Sequence, residues 1–191
     1  MKPSTVIASA EPVEASILRW LEQVVIGLNL CPFAKAVYSK GRVRIAVSAA
    51  RNPDALLAAL EAELQQLAAT APTQTDTTLL AVPLMFDNFL DFHFFQGEVA
   101  ALLRRLDYDR IFQVAAFHPQ WVFAGSETED VENCVNRAPV PLLHLLREDS
   151  VTRAISAFGD TTSVTAANQR RLRALGWAGW NHLRQGGSSG L

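Results

Sequence analysis

Residues with chemical potential concentrate between positions 118 and 149 of this 191-residue chain. His118 stands in Phe117-His118-Pro119-Gln120-Trp121, directly after an apolar run that predicts a strand. An imidazole titrates near neutral pH and can give or take a proton, so His118 is a candidate general acid or base. Pro119 restricts the backbone of His118 to extended geometry, which would hold the ring in one direction. Trp121 would form an apolar wall beside it. Asp130 to Asp149 is the densest polar stretch of the chain. If Asp130 to Arg137 forms a helical turn or two, Asn133, Asn136 and Arg137 share a face. Two amides and a guanidinium suit a carboxylate or phosphate, and Arg147 would add a second guanidinium. The competing reading is local, with the asparagines as caps and Arg137 paired with Glu132 or Glu148.

Val140 to Phe158 reads as a helix, which sets His144 and Glu148 at i and i+4 on one face. With His118 they would make a two-histidine, one-carboxylate set of the kind that binds a transition metal. Spacing of this sort arises by chance on many helices, so no metal is assigned. The alternative is a salt-bridged face of Arg147, Glu148, Asp149 and Arg153. Glu148 would then pair with an arginine instead of orienting His144. Cys31 and Cys134 read as structural thiols, since no C-x-x-C pair is present. No phosphate-binding glycine loop and no G-x-S-x-G elbow occurs, so the cofactor stays unassigned. His93, among phenylalanines, reads as a packed residue. Trp177 and Trp180 read as anchors of the C-terminal segment. Gln169, Arg170, Arg171 and Arg173 read as a solvated basic face.

The elements that must position these groups alternate in period. Ile17, Leu18, Leu21, Val24, Val25 and Leu28 form one helical stripe, predicting a helix over 14–29. Residues 42–49 predict a strand, and Asn52-Pro53 opens a second helix as N-cap and first-position proline. Residues 77–84 predict a strand buried on both faces, 87–107 a third helix and 111–117 a third strand. Residues 121–124 could add a short fourth strand. Ser163 to Leu175 predicts a basic helix closed by Gly176. The expected fold is α/β: a small, three- to four-stranded, mostly parallel sheet with flanking helices and a helical C-terminal segment. A two-layer α+β sandwich is the alternative. In such sheets ligands bind beyond the carboxyl ends of the strands, which is where His118 falls.

Composition narrows the partners. Hydrophobic residues make up 49% and charged residues 19%, enough to bury one core, so a single domain over 13–185 is expected. Residues 1–12 and 186–191 read as flexible ends. The net charge of −2 offers no basic excess for a nucleic-acid backbone. No apolar run approaches the roughly 20 residues that cross a bilayer, and the N-terminus lacks a signal-peptide pattern. A cytoplasmic protein is expected, and its oligomeric state is not legible.

Three stretches carry a resemblance: Leu-Asn-Leu-Cys-Pro-Phe-Ala at 28–34, Phe-His-Pro-Gln-Trp-Val-Phe-Ala-Gly at 117–125, and the run from Asn136 to Val151. Together they look like the bacterial family catalogued as "domain of unknown function 1415", over nearly the whole chain. One departure is Val140 between two prolines, where an aromatic residue is frequent in that family. The resemblance implies no activity and assigns no role to any residue. The expected function is a small enzyme or ligand-binding domain acting on an anionic small molecule. The competing expectations are an interaction module whose polar cluster is a structural network, and a metal-dependent enzyme.

Overall fold

A computed structural model describes residues 12–158 and 162–184; the expected flexible ends lie outside these residues apart from Pro12. The first helix, α1 (Val13–Trp20), runs without interruption into a π-helical segment, Leu21–Ile26. Its wide turns show in the bonds Gly27 N–H to Glu22 C=O and Leu30 N–H to Val25 C=O, both 2.9 Å and five residues apart. The apolar stripe faces inward, with Ile17, Trp20, Leu21, Val24 and Leu28 buried. A short helix α2 (Ala34–Tyr38) leads to strand β1 (Val43–Val47). Helix α3 (Pro53–Ala69) starts as expected: the Asn52 side chain accepts from the Ala55 N–H at 2.9 Å, and Pro53 takes the first position. All five residues of β2 (Thr77–Ala81) are buried. Helix α4 (Phe89–Arg105) is capped by Asn88, which accepts from the Leu90 N–H at 2.8 Å, and β3 (Phe112–Phe117) follows it.

Beyond β3 the structure corrects the helix expected over 140–158. A 3-10 turn (Val131–Asn136) is followed by a strand, β4 (Leu142–Arg147), and only then by helix α5 (Glu148–Phe158). The reason is position. β4 is inserted between β2 and β3, giving the sheet order β1-β2-β4-β3, so both its faces are covered and leucines fill four of its six places, on both faces. Such a run cannot be told from a buried helix by period. Pro139 and Pro141, which favour extended neighbours, carried the missed signal. The expected fourth strand at 121–124 is absent.

The fold is mixed α/β, and the sheet is mostly antiparallel. β1 and β2 are parallel, while β4 is antiparallel to both of its neighbours. β1, β2 and β3 still point the same way, which is the part of the parallel expectation that survives. On one face α3 and α4 pack through Leu56, Leu60, Leu64, Phe92 and Phe95 against Leu80, Phe112, Leu143 and Leu145. On the other, α1 and the last helix α6 (Thr162–Arg184) bring Ile17, Trp20, Leu172 and Trp180 against Leu79, Ala81 and Leu142. Gly176, expected to end a helix, breaks α6 with φ 61 and ψ −179, a combination open to glycine alone.

Candidate functional site: an apolar cavity with a buried histidine

Strand alternation sends Thr77 and Leu79 of β2, Gln113, Ala115 and Phe117 of β3, and His144 and Leu146 of β4 to the face opposite α3 and α4. The wide π-helical segment and the Leu30–Ala34 turn cover this face without filling it. A cavity of about 370 Å³ is left between them, walled also by Trp20, Leu21, Val25, Cys31 and Phe33 and bordered at one end by Val151 and Ala154 of α5. Its wall is almost wholly apolar. His144 is at its floor, with Thr77, Gln113, Asn136 and Cys31 contributing a few other polar atoms and Asp76, Arg147 and Ser150 at the rim toward α5.

The protonation of His144 follows from its neighbours. The Thr77 hydroxyl donates to the Leu145 carbonyl at 2.6 Å, and the same oxygen lies 2.7 Å from His144 Nε2. A hydroxyl has one hydrogen and a carbonyl only accepts, so satisfying both contacts requires Nε2 to carry the proton and donate to Thr77. Nδ1 is then a bare acceptor. It makes no hydrogen bond among the described residues and is not sealed in, so its lone pair opens into the cavity that the ring lines. Enclosure by protein pushes the pKa of this histidine down to about 4, keeping it neutral. A neutral imidazole held in one tautomer by a hydroxyl–carbonyl relay, in a largely apolar pocket, can accept a hydrogen bond or abstract a proton.

The other sequence-predicted residues lie elsewhere and are occupied. His118 is buried at the carboxyl end of β3, as expected. Its Nε2 donates to the Phe86 carbonyl at 2.8 Å, and its Nδ1 accepts from the Gln120 N–H at 3.0 Å. Burial lowers its pKa. The ring lies against Phe89 and Phe92, and it fixes a loop in which Phe86 adopts φ 63, costly for an aromatic residue. His118→Ala is expected to lower unfolding free energy by roughly 2 kcal/mol, since a carbonyl and an N–H lose their partner. Urea denaturation measures this, and an unchanged midpoint would deny the histidine its anchoring role.

Trp121 packs on Phe89 and Phe123. Asn133 is buried and divided between the Phe123 N–H (2.9 Å) and the Glu127 carbonyl (2.7 Å). Arg137 donates to the carbonyls of Trp121 and Thr128 and lies over the Trp177 ring. Its own carbonyl accepts from Trp20 Nε1 at 2.9 Å. Arg147 leaves the opposite face of β4 and donates through Nη2 to the carbonyls of Leu67, Thr70 and Thr75. Asn136 and Arg147 of this cluster also line the cavity, and Asn136 makes a long contact of 3.5 Å to the Ala116 carbonyl. Glu148 heads α5, so its four-residue spacing from His144 spans a strand-to-helix junction instead of one helical turn. Among the described residues, no three His, Cys, Asp or Glu side chains gather in a metal-binding group.

Three further expectations are settled by position. His93 is exposed, not packed, although it contacts the rings of Phe89 and Phe94. Trp180 is buried as an anchor, whereas Trp177 is partly exposed and donates to the Glu129 carbonyl at 2.7 Å. Cys134 is buried, and burial pushes its thiol up to about 11, so it is an inert packing residue; Cys31 borders the cavity. Thr77 and Gln113 escaped the sequence reading: nothing in their spacing marks them, and only the register of β4 brings them beside His144.

Fold and site together define a small α/β domain with one mixed sheet and an internal apolar cavity under its first helix. The chain belongs to the family described as "Protein of unknown function (DUF1415)", whose model matches residues 12–182. No curated protein and no solved structure matched it.

Proposed function

We propose that the protein is a small-molecule-binding domain, with the capacity for base catalysis, that takes a predominantly apolar molecule into the cavity under α1. His144 Nδ1 accepts a hydrogen bond or proton from that molecule. The observation that carries this reading is the unpartnered Nδ1 opening into a predominantly apolar space. Apolar pockets with a few convergent polar groups are where ligands bind. At about 30 Å³ for a water-sized group, the cavity holds about a dozen heavy atoms. The polar segment at 118–137 supports the competing idea of a structural network, and supports it only for that segment: its amides and Arg137 spend their bonds on neighbouring loops. Two free thiols fit a reducing, cytoplasmic setting.

Binding of 4-butylphenol and of its methyl ether, measured by thermal shift and calorimetry, tests the reading. The phenol carries the O–H that Nδ1 can accept, and it should bind about tenfold tighter than the ether. Ala115 faces the cavity beside His144 in the register of β3 and β4. Ala115→Phe should fill the space and abolish binding of both compounds while the protein stays folded. Equal binding by wild type and Ala115→Phe would overturn the reading.

A further inference from the structure

The cavity does not end at α5. A second, wider space of about 410 Å³ adjoins it, sharing Phe33, Val37, Asp76, Ser150 and Ala154 with the first and opening outward between α2 and α5. Its character differs from that of the inner chamber, because Arg42 and Arg153 line it. Among the described residues no side chain pairs with the Arg42 guanidinium. Arg153 donates from Nη2 to Ser150 Oγ at 3.0 Å, which leaves most of its five donors unused. One carboxylate is present, Asp76, but it is engaged. It accepts from Ser150 Oγ at 2.6 Å, and it lies close enough to Arg147 for the two charges to interact. The mouth therefore presents two guanidinium groups against one carboxylate whose charge is already shared with a third guanidinium.

An apolar chamber opening through a cationic mouth selects a molecule built the same way. We propose that the ligand is amphipathic. Its anionic head, a carboxylate or phosphate, rests between Arg42 and Arg153, and its hydrocarbon body of about a dozen heavy atoms or fewer fills the chamber toward His144. This deepens the cavity reading and rests on it. Arginine forks match both heads, and a partly desolvated charged hydrogen bond raises affinity by about tenfold or more. The anion expected from the polar residues at 118–149 is thereby moved to different arginines, at the opposite end of the sheet from His118.

Calorimetry with octanoate, octyl phosphate and octanol tests the inference. Wild type should bind both anions about tenfold or more tightly than octanol, and raising salt from 0.05 to 0.5 M should narrow that gap by screening the mouth. In the double variant Arg42→Gln/Arg153→Gln the ratio of anion to alcohol affinity should fall to about one, with an unchanged circular dichroism spectrum showing a folded protein. Ala115→Phe separates the two levels of the argument. If octanol binds wild type but not Ala115→Phe, and the anions bind no tighter than octanol, the cavity reading stands and the head-group inference is overturned. If the anions bind Ala115→Phe as tightly as wild type, they sit on the surface alone and both are overturned. Should one anion exceed the other, in a manner dependent on Arg42 and Arg153, that difference identifies the head the mouth takes.

Discussion

Arg147→Ala is expected to lower the free energy of unfolding by roughly 3–5 kcal/mol. That is a large share of the roughly 5–15 kcal/mol that holds an ordinary domain together. The side chain leaves the end of β4 and brings one terminal nitrogen to three carbonyls, those of Leu67 and Thr70 at 2.6 Å and of Thr75 at 3.1 Å. Leu67 belongs to the last turn of α3, and its carbonyl otherwise accepts only a long bond of 3.3 Å from the Thr70 N–H at the C-cap. Arg147 supplies a second and shorter donor there, adds positive charge at the negative end of the helix dipole, and lays its guanidinium over the Phe112 ring. Alanine removes all of this at once and leaves the half-buried Thr70 and Thr75 carbonyls without a protein donor. Urea denaturation should show a lower midpoint at unchanged slope. Arg147→Lys should fall between wild type and alanine, since an ammonium keeps the charge but not the planar fork. A loss below about 1 kcal/mol in the alanine variant would mean that the α3 end is satisfied by water instead.

That arginine shows why the site was only partly legible in the sequence. The first two-thirds of the fold could be read because its helices each keep an exposed face, and because the buried strand β2 is short and bounded by polar loops. Leu56, Leu60 and Leu64 repeat at helical spacing, and Asn52-Pro53 marks a start that the structure keeps. β4 is covered on both faces, so its leucines fall on both and show no strand period, and leucine, a good helix former, tilts the reading toward helix. One wrong element then displaced several side chains. It put His144, Arg147 and Glu148 on a common helical surface, whereas the strand sends His144 into the cavity and Arg147 to the opposite face. His118 was located correctly, yet its two ring nitrogens are committed to Phe86 and Gln120. Polar density along a chain does not distinguish groups that bond one another from groups left open to a ligand. That distinction lies in the partners, and the partners of His144 come from β2 and β3, far away in sequence.

The same enclosure gives His144 the second large expected effect, on stability as a function of pH. In the unfolded chain its imidazole holds the ordinary value of 6.5, whereas in the folded protein burial brings it down to about 4. Acid therefore protonates the unfolded chain first. The stability contributed by the neutral ring is complete above about pH 6.5 and is lost progressively as the pH falls to about 4, amounting to about 3 kcal/mol. His118, whose pKa is also lowered by burial, acts in the same direction. A comparison of wild type with His144→Gln isolates the cavity residue, because glutamine can still donate to Thr77 Oγ1 but does not titrate. Wild type should be the more strongly acid-sensitive of the two between pH 7 and pH 4 in urea denaturation, and the curves should run parallel above pH 7. Parallel curves throughout would mean that the ring is solvated and that the cavity is open to bulk water. A flatter curve for His144→Gln would establish the dry, neutral imidazole on which the proposed chemistry depends. It would also predict that 4-butylphenol binding to wild type stays constant from pH 8 to about pH 5, where protonation of Nδ1 in the folded state has scarcely begun.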